Sequence, residues 1–77
     1  MEINKNGNSI VFERNGVNYV FPLNAIILIS NDNSESVTLR LKASRKNILT
    51  FSYKDVTNLS ASSANELIEL IGSLSNN

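Results

Sequence analysis

The fold of this chain is decided by one stretch, Ser9-Ile10-Val11-Phe12-Glu13-Arg14-Asn15-Gly16-Val17-Asn18-Tyr19-Val20-Phe21. Asn15-Gly16 strongly predicts a two-residue hairpin turn, because a type I′ turn needs positive φ at both central positions. Directly opposed residues of a hairpin share one face of the sheet. The turn therefore predicts two pairs on one face, Ile10–Phe21 and Phe12–Tyr19, and two on the other, Val11–Val20 and Glu13–Asn18. The first face is apolar throughout, so the turn and the hydrophobic pattern agree.

The chain after this hairpin continues with strand-like segments. Pro22 has no N–H for a sheet ladder and is predicted to end the second strand. Residues 25–29 are an apolar, β-branched run that is typical of a strand covered on both faces. Residues 31–35 are polar and predict a loop.

A second hairpin is indicated by alternating apolar residues in 37–43 and 49–53. A three-residue loop, Arg45-Lys46-Asn47, would place Asn47 in the left-handed region that such loops need. This loop predicts three cross-strand pairs, Ala43–Leu49, Leu41–Phe51 and Leu39–Tyr53.

The C-terminal segment has the pattern of an amphipathic helix. Ser63 followed by Glu66 is a capping-box pattern, and apolar residues then recur at helical spacing. They are Ala64, Leu67, Ile68, Ile71 and Leu74. The predicted fold is α+β, an antiparallel β-meander of four to five strands with one C-terminal amphipathic helix packed on one face. Residues 1–77 are predicted to form a single small domain, with residues 1–5 as a candidate edge strand.

Composition argues against an enzyme. The 77 residues include no Cys and no His, which removes disulfides, thiolate nucleophiles, imidazole bases and the usual zinc ligands. The seven acidic residues follow no catalytic motif, and three isolated Gly residues cannot form a phosphate-binding loop. Residues 31–35 lack the Gly and the distal Glu of a calcium loop. We expect a non-enzymatic protein with no cofactor and no metal.

The charges are unevenly distributed although the formal net charge is zero. Residues 37–54 contain five basic side chains and no acidic one. A basic patch of Arg40, Lys42, Arg45 and Lys46 is therefore predicted on the second hairpin. Three interpretations stay open: a solvated sheet face guarded by Lys, a contact for an acidic protein, and a nucleic-acid-binding module that grips phosphates. The aromatic residues of this hairpin are out of phase with the basic ones, which argues against base stacking.

A smaller apolar set lies out of phase with the main core. We expect it on the second face of the sheet, because one helix covers only one face. Its members are Val11, Val20, Ile26, Leu28 and Ile48. Exposed apolar patches mark interaction sites, so this set is the predicted interface with other subunits. The alternatives are scattered exposed apolar residues and an N-terminal segment folded over them.

One part of the chain resembles a known group of proteins. Residues 51–58, Phe-Ser-Tyr-Lys-Asp-Val-Thr-Asn, and the following step into residues 65–71 resemble the end of small uncharacterised bacteriophage structural (virion) proteins. In those proteins a short β-meander closes with a Tyr-x-Asp-Val-Thr turn and a short helix. The resemblance covers the last third of the chain, and Leu59 stands where Pro is expected. It implies a virion or assembly component without catalytic residues.

The sequence thus predicts a structural or interaction module, a small subunit of a larger phage virion-like assembly. Its expected partners are further copies of itself or other subunits, with nucleic acid as the alternative partner through the basic patch. No apolar run approaches the length of a membrane span, and residues 1–5 lack the pattern of a signal peptide. The expected location is the virion or the host cytoplasm.

Overall fold

The described residues form six strands, one α-helix and two short 3-10 helices. A computed structural model describes residues 1–31 and 33–75. The first three-stranded antiparallel sheet consists, in order, of β1 (Glu2–Asn6), β2 (Ser9–Arg14) and β3 (Val17–Pro22). The second consists of β4 (Ile26–Asn31), β5 (Ser36–Leu41) and β6 (Asn47–Ser52). The helix α1 (Ala64–Ser75) follows. The Asp32 position of the predicted polar loop lies outside the described residues.

The α+β class is confirmed, but the single meander of four to five strands is wrong. The chain builds two meanders, because the ladder stops between β3 and β4. Pro22 ends β3 and precedes a short 3-10 helix, Leu23–Ala25. The Leu23 amide donates to the Asn8 carbonyl oxygen over 3.0 Å, which ties this corner back to the first sheet. The predicted N-terminal edge strand is present as β1.

The register of the first hairpin is confirmed. β2 and β3 pair with Phe12 opposite Tyr19 and Ile10 opposite Phe21. Asn15 and Gly16 have φ of +54° and +79°, as a type I′ turn requires. A two-residue turn with a distinct sequence therefore sets the register of the whole hairpin.

The register of the second hairpin differs from the prediction. Leu39 pairs with Leu49 and Val37 with Phe51, while Tyr53 lies beyond the strand in a 3-10 helix. The turn spans residues 42–46, and the ladder is irregular between Leu39 and Arg40, as a β-bulge makes it. Arg45, with φ of +55°, takes the left-handed position expected of Asn47. The pairing is displaced by four residues, an even number, so Leu39, Leu41, Leu49 and Phe51 still face the core. Ala43, which was predicted to face inward, lies exposed in the turn.

The two sheets pack against each other around Phe12, which is fully buried. Its ring centroid lies 6.1 Å from that of Phe21 in the same sheet and 6.1 Å from that of Phe51 in the other. The core cluster combines residues of both sheets and the helix, among them Ile3, Leu39 and Leu67. The second sheet thus covers the apolar face of the first, a role that the sequence analysis gave to the helix.

The helix contacts both sheets and lies on the face of neither alone. α1 packs against β4, β1 and β5, with Ala64, Leu67 and Ile71 buried. Ser63 Oγ accepts a hydrogen bond from the Glu66 amide over 3.1 Å, as the capping box predicts. The Glu66 carboxylate accepts from the amide and hydroxyl of Ser62, one residue earlier than the motif requires. The Ala64 amide donates to the Ser34 carbonyl oxygen over 2.7 Å, so the β4–β5 loop holds the start of the helix.

The outer face of the second sheet carries a hydrogen-bonded row of polar side chains. Ser36 and Thr38 are buried although they point away from the core. Ser36 Oγ donates to Asn31 Oδ1, and Asn31 Nδ2 donates to Thr38 Oγ1 over 2.7 Å. Thr38 also lies 3.3 Å from Thr50 Oγ1. Each polar group therefore has a partner, which removes the penalty of burying it.

The free edge of β1 is closed by the segment before the helix. Asn58 Oδ1 accepts from the Ile3 amide over 3.0 Å, and Asn58 Nδ2 donates to the Ile3 carbonyl oxygen over 2.8 Å. The Thr57 amide donates to the Met1 carbonyl oxygen over 2.9 Å. At Ile3 one side-chain amide thus takes the place of a neighbouring strand, which hinders pairing of this part of the edge with another chain.

We predict that Asn58→Ala destabilises the fold by about 1–3 kcal/mol, because both backbone groups of Ile3 lose their partner. Urea unfolding followed by circular dichroism measures the change. Ser60→Ala, at an exposed position in the same segment, is the matched control and is expected to stay within about 0.5 kcal/mol of the native chain. Equal unfolding midpoints for both variants would show that the Asn58 amide does not hold the edge.

Candidate functional site

The predicted apolar interface does not form one surface. Ile26 and Leu28 were expected on the second face, and this is wrong. β4 pairs with β5 so that Ile26 opposes Leu41 and Leu28 opposes Leu39, which turns both side chains toward the core. Ile26 is buried, and Leu28 packs against the core cluster. Ile48, at the irregular start of β6, packs there as well.

Val11 and Val20 do lie on the outer face of the first sheet, where they pair with each other. Val11 is half-buried, whereas Val20 is 56% exposed. Two further large apolar residues are exposed, Val17 at 50% and Ile27 at 42%. The sequence pattern predicted neither residue as exposed. Residues 26–29 are all apolar and show no alternation that would give the phase of β4, and Val17 follows the turn directly.

The outer edge of β3 is open. Arg14 and Val17 flank the two-residue turn and form a hydrogen-bonded pair, so the pairs alternate along the hairpin. Asn18 and Val20 then lie in non-hydrogen-bonded pairs, and their N–H and C=O groups point away from β2. In the described chain no hydrogen bond joins this edge to another element. β3 also carries no charged side chain.

The basic patch is split between a strand and a loop. Arg40 lies on the outer face of β5, opposite Ile27, and its Nε donates to Asn47 Oδ1 over 3.0 Å. Lys42, Arg45 and Lys46 are exposed in the β5–β6 turn, which we call the basic loop (residues 42–46).

The backbone of the basic loop is well fixed. The Leu41 amide donates to the Lys46 carbonyl oxygen, and the Arg45 amide to the Leu41 carbonyl oxygen, both over 2.9 Å. Among the described residues, the side chains of the basic loop have no acidic partner. The ion pair in that part of the chain joins Lys54 and Glu35, which lie outside the loop, at 3.6 Å. The loop therefore presents three unneutralised cations from a defined scaffold.

Acidic side chains gather at the opposite end of β5, which we call the acidic end. Glu35 precedes β5, and the Tyr53 amide donates to its carbonyl oxygen, which brings residues 53–55 alongside. The Met1 amine donates to the Asp55 carbonyl oxygen, and Glu2 follows Met1 and opposes Glu13. The acidic end thus consists of Glu2, Glu13, Glu35, Asp55 and Glu66, the last placed by the contact of the helix start with the β4–β5 loop.

Basic groups offset part of the charge at the acidic end. Lys54 pairs with Glu35, and the terminal amine donates to the Asp55 carbonyl oxygen. Five carboxylates against these two cations leave an excess of negative charge. Glu2 and Asp55 are exposed, and their carboxylates have no hydrogen-bond or ion-pair partner among the described residues. The six residues of β5 separate this end from the basic loop by roughly 20 Å. The molecule measures 27 × 26 × 25 Å, so the opposite charges lie at opposite ends.

An apolar cavity of about 200 Å³ lies between the helix and the sheets. Its walls are aliphatic except for one helix glycine, and its lining residues are Ile10, Leu23, Ile26, Leu28, Ile68, Ile71 and Gly72. None of these lining residues has a polar side chain.

The described residues contain no group of three or more acidic side chains that could hold a metal ion. No helix in that part of the chain is long and apolar enough to cross a membrane. No protein-family model, curated protein or solved structure matches this chain.

We predict that Gly72→Ala stabilises the protein by about 1 kcal/mol, because Gly lowers helix stability by that amount relative to Ala. A Cβ at this position would meet no heavy atom within 4 Å. Gly16→Ala is the matched control, since Gly16 also has free space but a φ of +79°, and it is expected to destabilise by about 1–2 kcal/mol. Thermal unfolding measures both changes, and a destabilised Gly72→Ala would contradict the prediction.

Proposed function

We propose that this protein is a non-enzymatic structural module, a small subunit of a larger assembly that joins a second copy of itself through the open edge of β3. The observation that supports this is the contrast between the two edges of the first sheet. Asn58 pairs with both outward backbone groups of Ile3 on the β1 edge, whereas the β3 edge has free backbone groups and no charge. Natural sheets usually protect such an edge with Lys, Pro or a covering segment. On β3 only Pro22, at the last position, gives such protection, and the edge at Asn18 and Val20 is left open.

A two-fold axis between identical edge strands makes this contact self-complementary. Two antiparallel β3 strands would place Asn18 of each copy opposite Val20 of the other. The N–H and C=O groups of both residues point away from β2, so they would form hydrogen bonds across this pair. Pro22 would limit the ladder, because it has no N–H to donate. Val20 and Val17 would lose exposed apolar area in such a pair, and Val20 keeps the interface role predicted from the sequence.

The chemistry of the chain supports a non-enzymatic role. The chain has neither His nor Cys. The side chains that line the cavity are all aliphatic, and the described acidic residues are exposed or half-buried at the surface. The resemblance of the C-terminal third to bacteriophage structural proteins supports a location in the virion or the host cytoplasm.

The test is the mass of the protein in solution as its concentration rises, measured by sedimentation velocity at high salt, where contacts between charges are screened. We expect a dimer for the native chain. Val20→Lys places a charge on the edge and removes apolar area, and should weaken dimerisation at least about tenfold. Val20→Pro removes one outward N–H without touching the ladder to β2 and should do the same.

Ile27→Lys is the matched control. It introduces the same charge at a similarly exposed apolar residue, but on the other sheet. Its dimerisation should equal that of the native chain. A native chain that stays monomeric at all concentrations would overturn the proposal, and so would equal losses in Val20→Lys and Ile27→Lys.

A further inference from the structure

The separated charges point to a second contact between copies of this chain. We propose that the protein also associates head to tail, with the basic loop of one molecule against the acidic end of the next. This contact uses neither Val17 nor Val20, so it holds or fails separately from the pairing of β3 edges.

The basic loop and the acidic end carry complementary charges. Lys42, Arg45 and Lys46 have no acidic partner within the described chain, and Glu2 and Asp55 have no basic one. The chain as a whole has seven basic and seven acidic side chains. A second copy therefore supplies the missing partner for each end, whereas a strongly charged foreign partner would meet one attractive end and one repulsive end.

The basic loop and the acidic end are too far apart to pair within one molecule. The two ends lie roughly 20 Å apart along β5, which is most of the molecular dimension of 25–27 Å. The basic loop cannot fold back to the acidic end, because its backbone is tied to Leu41 by two hydrogen bonds. Complementary surfaces at opposite ends of one molecule make a heterologous contact, which repeats and builds an open chain or a ring.

A nucleic acid is the competing partner for the basic loop, and two features of the chain disfavour it. The basic loop contains no aromatic residue on which a base could stack, and Tyr53 lies at the other end of the second sheet. A strand long enough to pass the loop would also approach the acidic end. The observations therefore favour the second copy, and nucleic-acid binding becomes an outcome of the test.

The contact is expected to be weak and sensitive to salt. Its charges are exposed, and exposed ion pairs contribute little and are screened beyond about 10 Å at 0.1 M salt. Association should therefore appear at high protein concentration and low salt and disappear on addition of salt, unlike the pairing of β3 edges. The contact can strengthen an assembly in which other contacts already hold the subunits.

The experiment uses the Val20→Pro chain, which lacks the edge contact without a change in charge. A loop variant carries Lys42→Gln, Arg45→Asn and Lys46→Gln, where Asn suits the positive φ of Arg45. An end variant carries Glu2→Gln and Asp55→Asn, at side chains with no described partner. The control is Glu69→Gln, an exposed helix residue that belongs to neither end. Circular dichroism confirms that each variant is folded.

Sedimentation velocity at low salt then gives the result. We expect the parent and the Glu69→Gln control to grow beyond a dimer as concentration rises. The loop variant and the end variant should each remain monomeric. Their equimolar mixture should form dimers and nothing larger, because only one complementary contact per pair is left. In the native background, the same contact should appear as the part of the mass increase that salt removes.

Three outcomes would overturn the proposal. One is a parent that stays monomeric at low salt. Another is a parent that stops at a dimer, which indicates a two-fold contact. The third is association that needs an added labelled single- or double-stranded oligonucleotide and is lost in the loop variant alone, which identifies the basic loop as a nucleic-acid site.

Discussion

The fold depends on the contact of the two sheets at Phe12. Its ring meets Phe21 from its own sheet and Phe51 from the other, and Phe12 is fully buried. A chain of this size buries only about 60% of the surface that its unfolded form exposes, so it needs one efficient core. Two small sheets that face each other give that core with short local connections, and the helix then has only to cover the side.

This arrangement changes the argument for an assembly. A single sheet with two apolar faces and one helix would leave one face bare, and that face would need another chain. The second sheet removes the requirement, because it turns Ile26 and Leu28 inward. The reason to expect a partner moves to the free backbone groups of β3 and to the charges at the two ends. The surfaces that this fold leaves available for a partner are therefore the β3 edge, the basic loop and the acidic end.

The parts of the structure that were predictable from sequence are those with a local cause. Asn15-Gly16 specifies one turn type, and the first hairpin therefore has the expected register. The second turn, residues 42–46, has no such dipeptide. Its sequence is equally compatible with a five-residue turn followed by a bulge and with a three-residue loop. The phase of β4 was not predictable, because residues 26–29 are all apolar. Stacking of the sheets depends on contacts between distant residues such as Phe12 and Phe51.

The charged surfaces also differ in whether the sequence alone could reveal them. The basic residues could be found from composition alone, since residues 37–54 contain no acid. Their acidic counterpart could not, because Glu2, Glu35 and Asp55 are distant in sequence and meet only through the contacts of Met1 and Tyr53. The net charge is zero, yet the folded chain has three basic side chains without a described acidic partner at one end and an excess of acidic side chains at the other. The dipole that results exists only in the folded chain, so any association that depends on it also depends on the native fold.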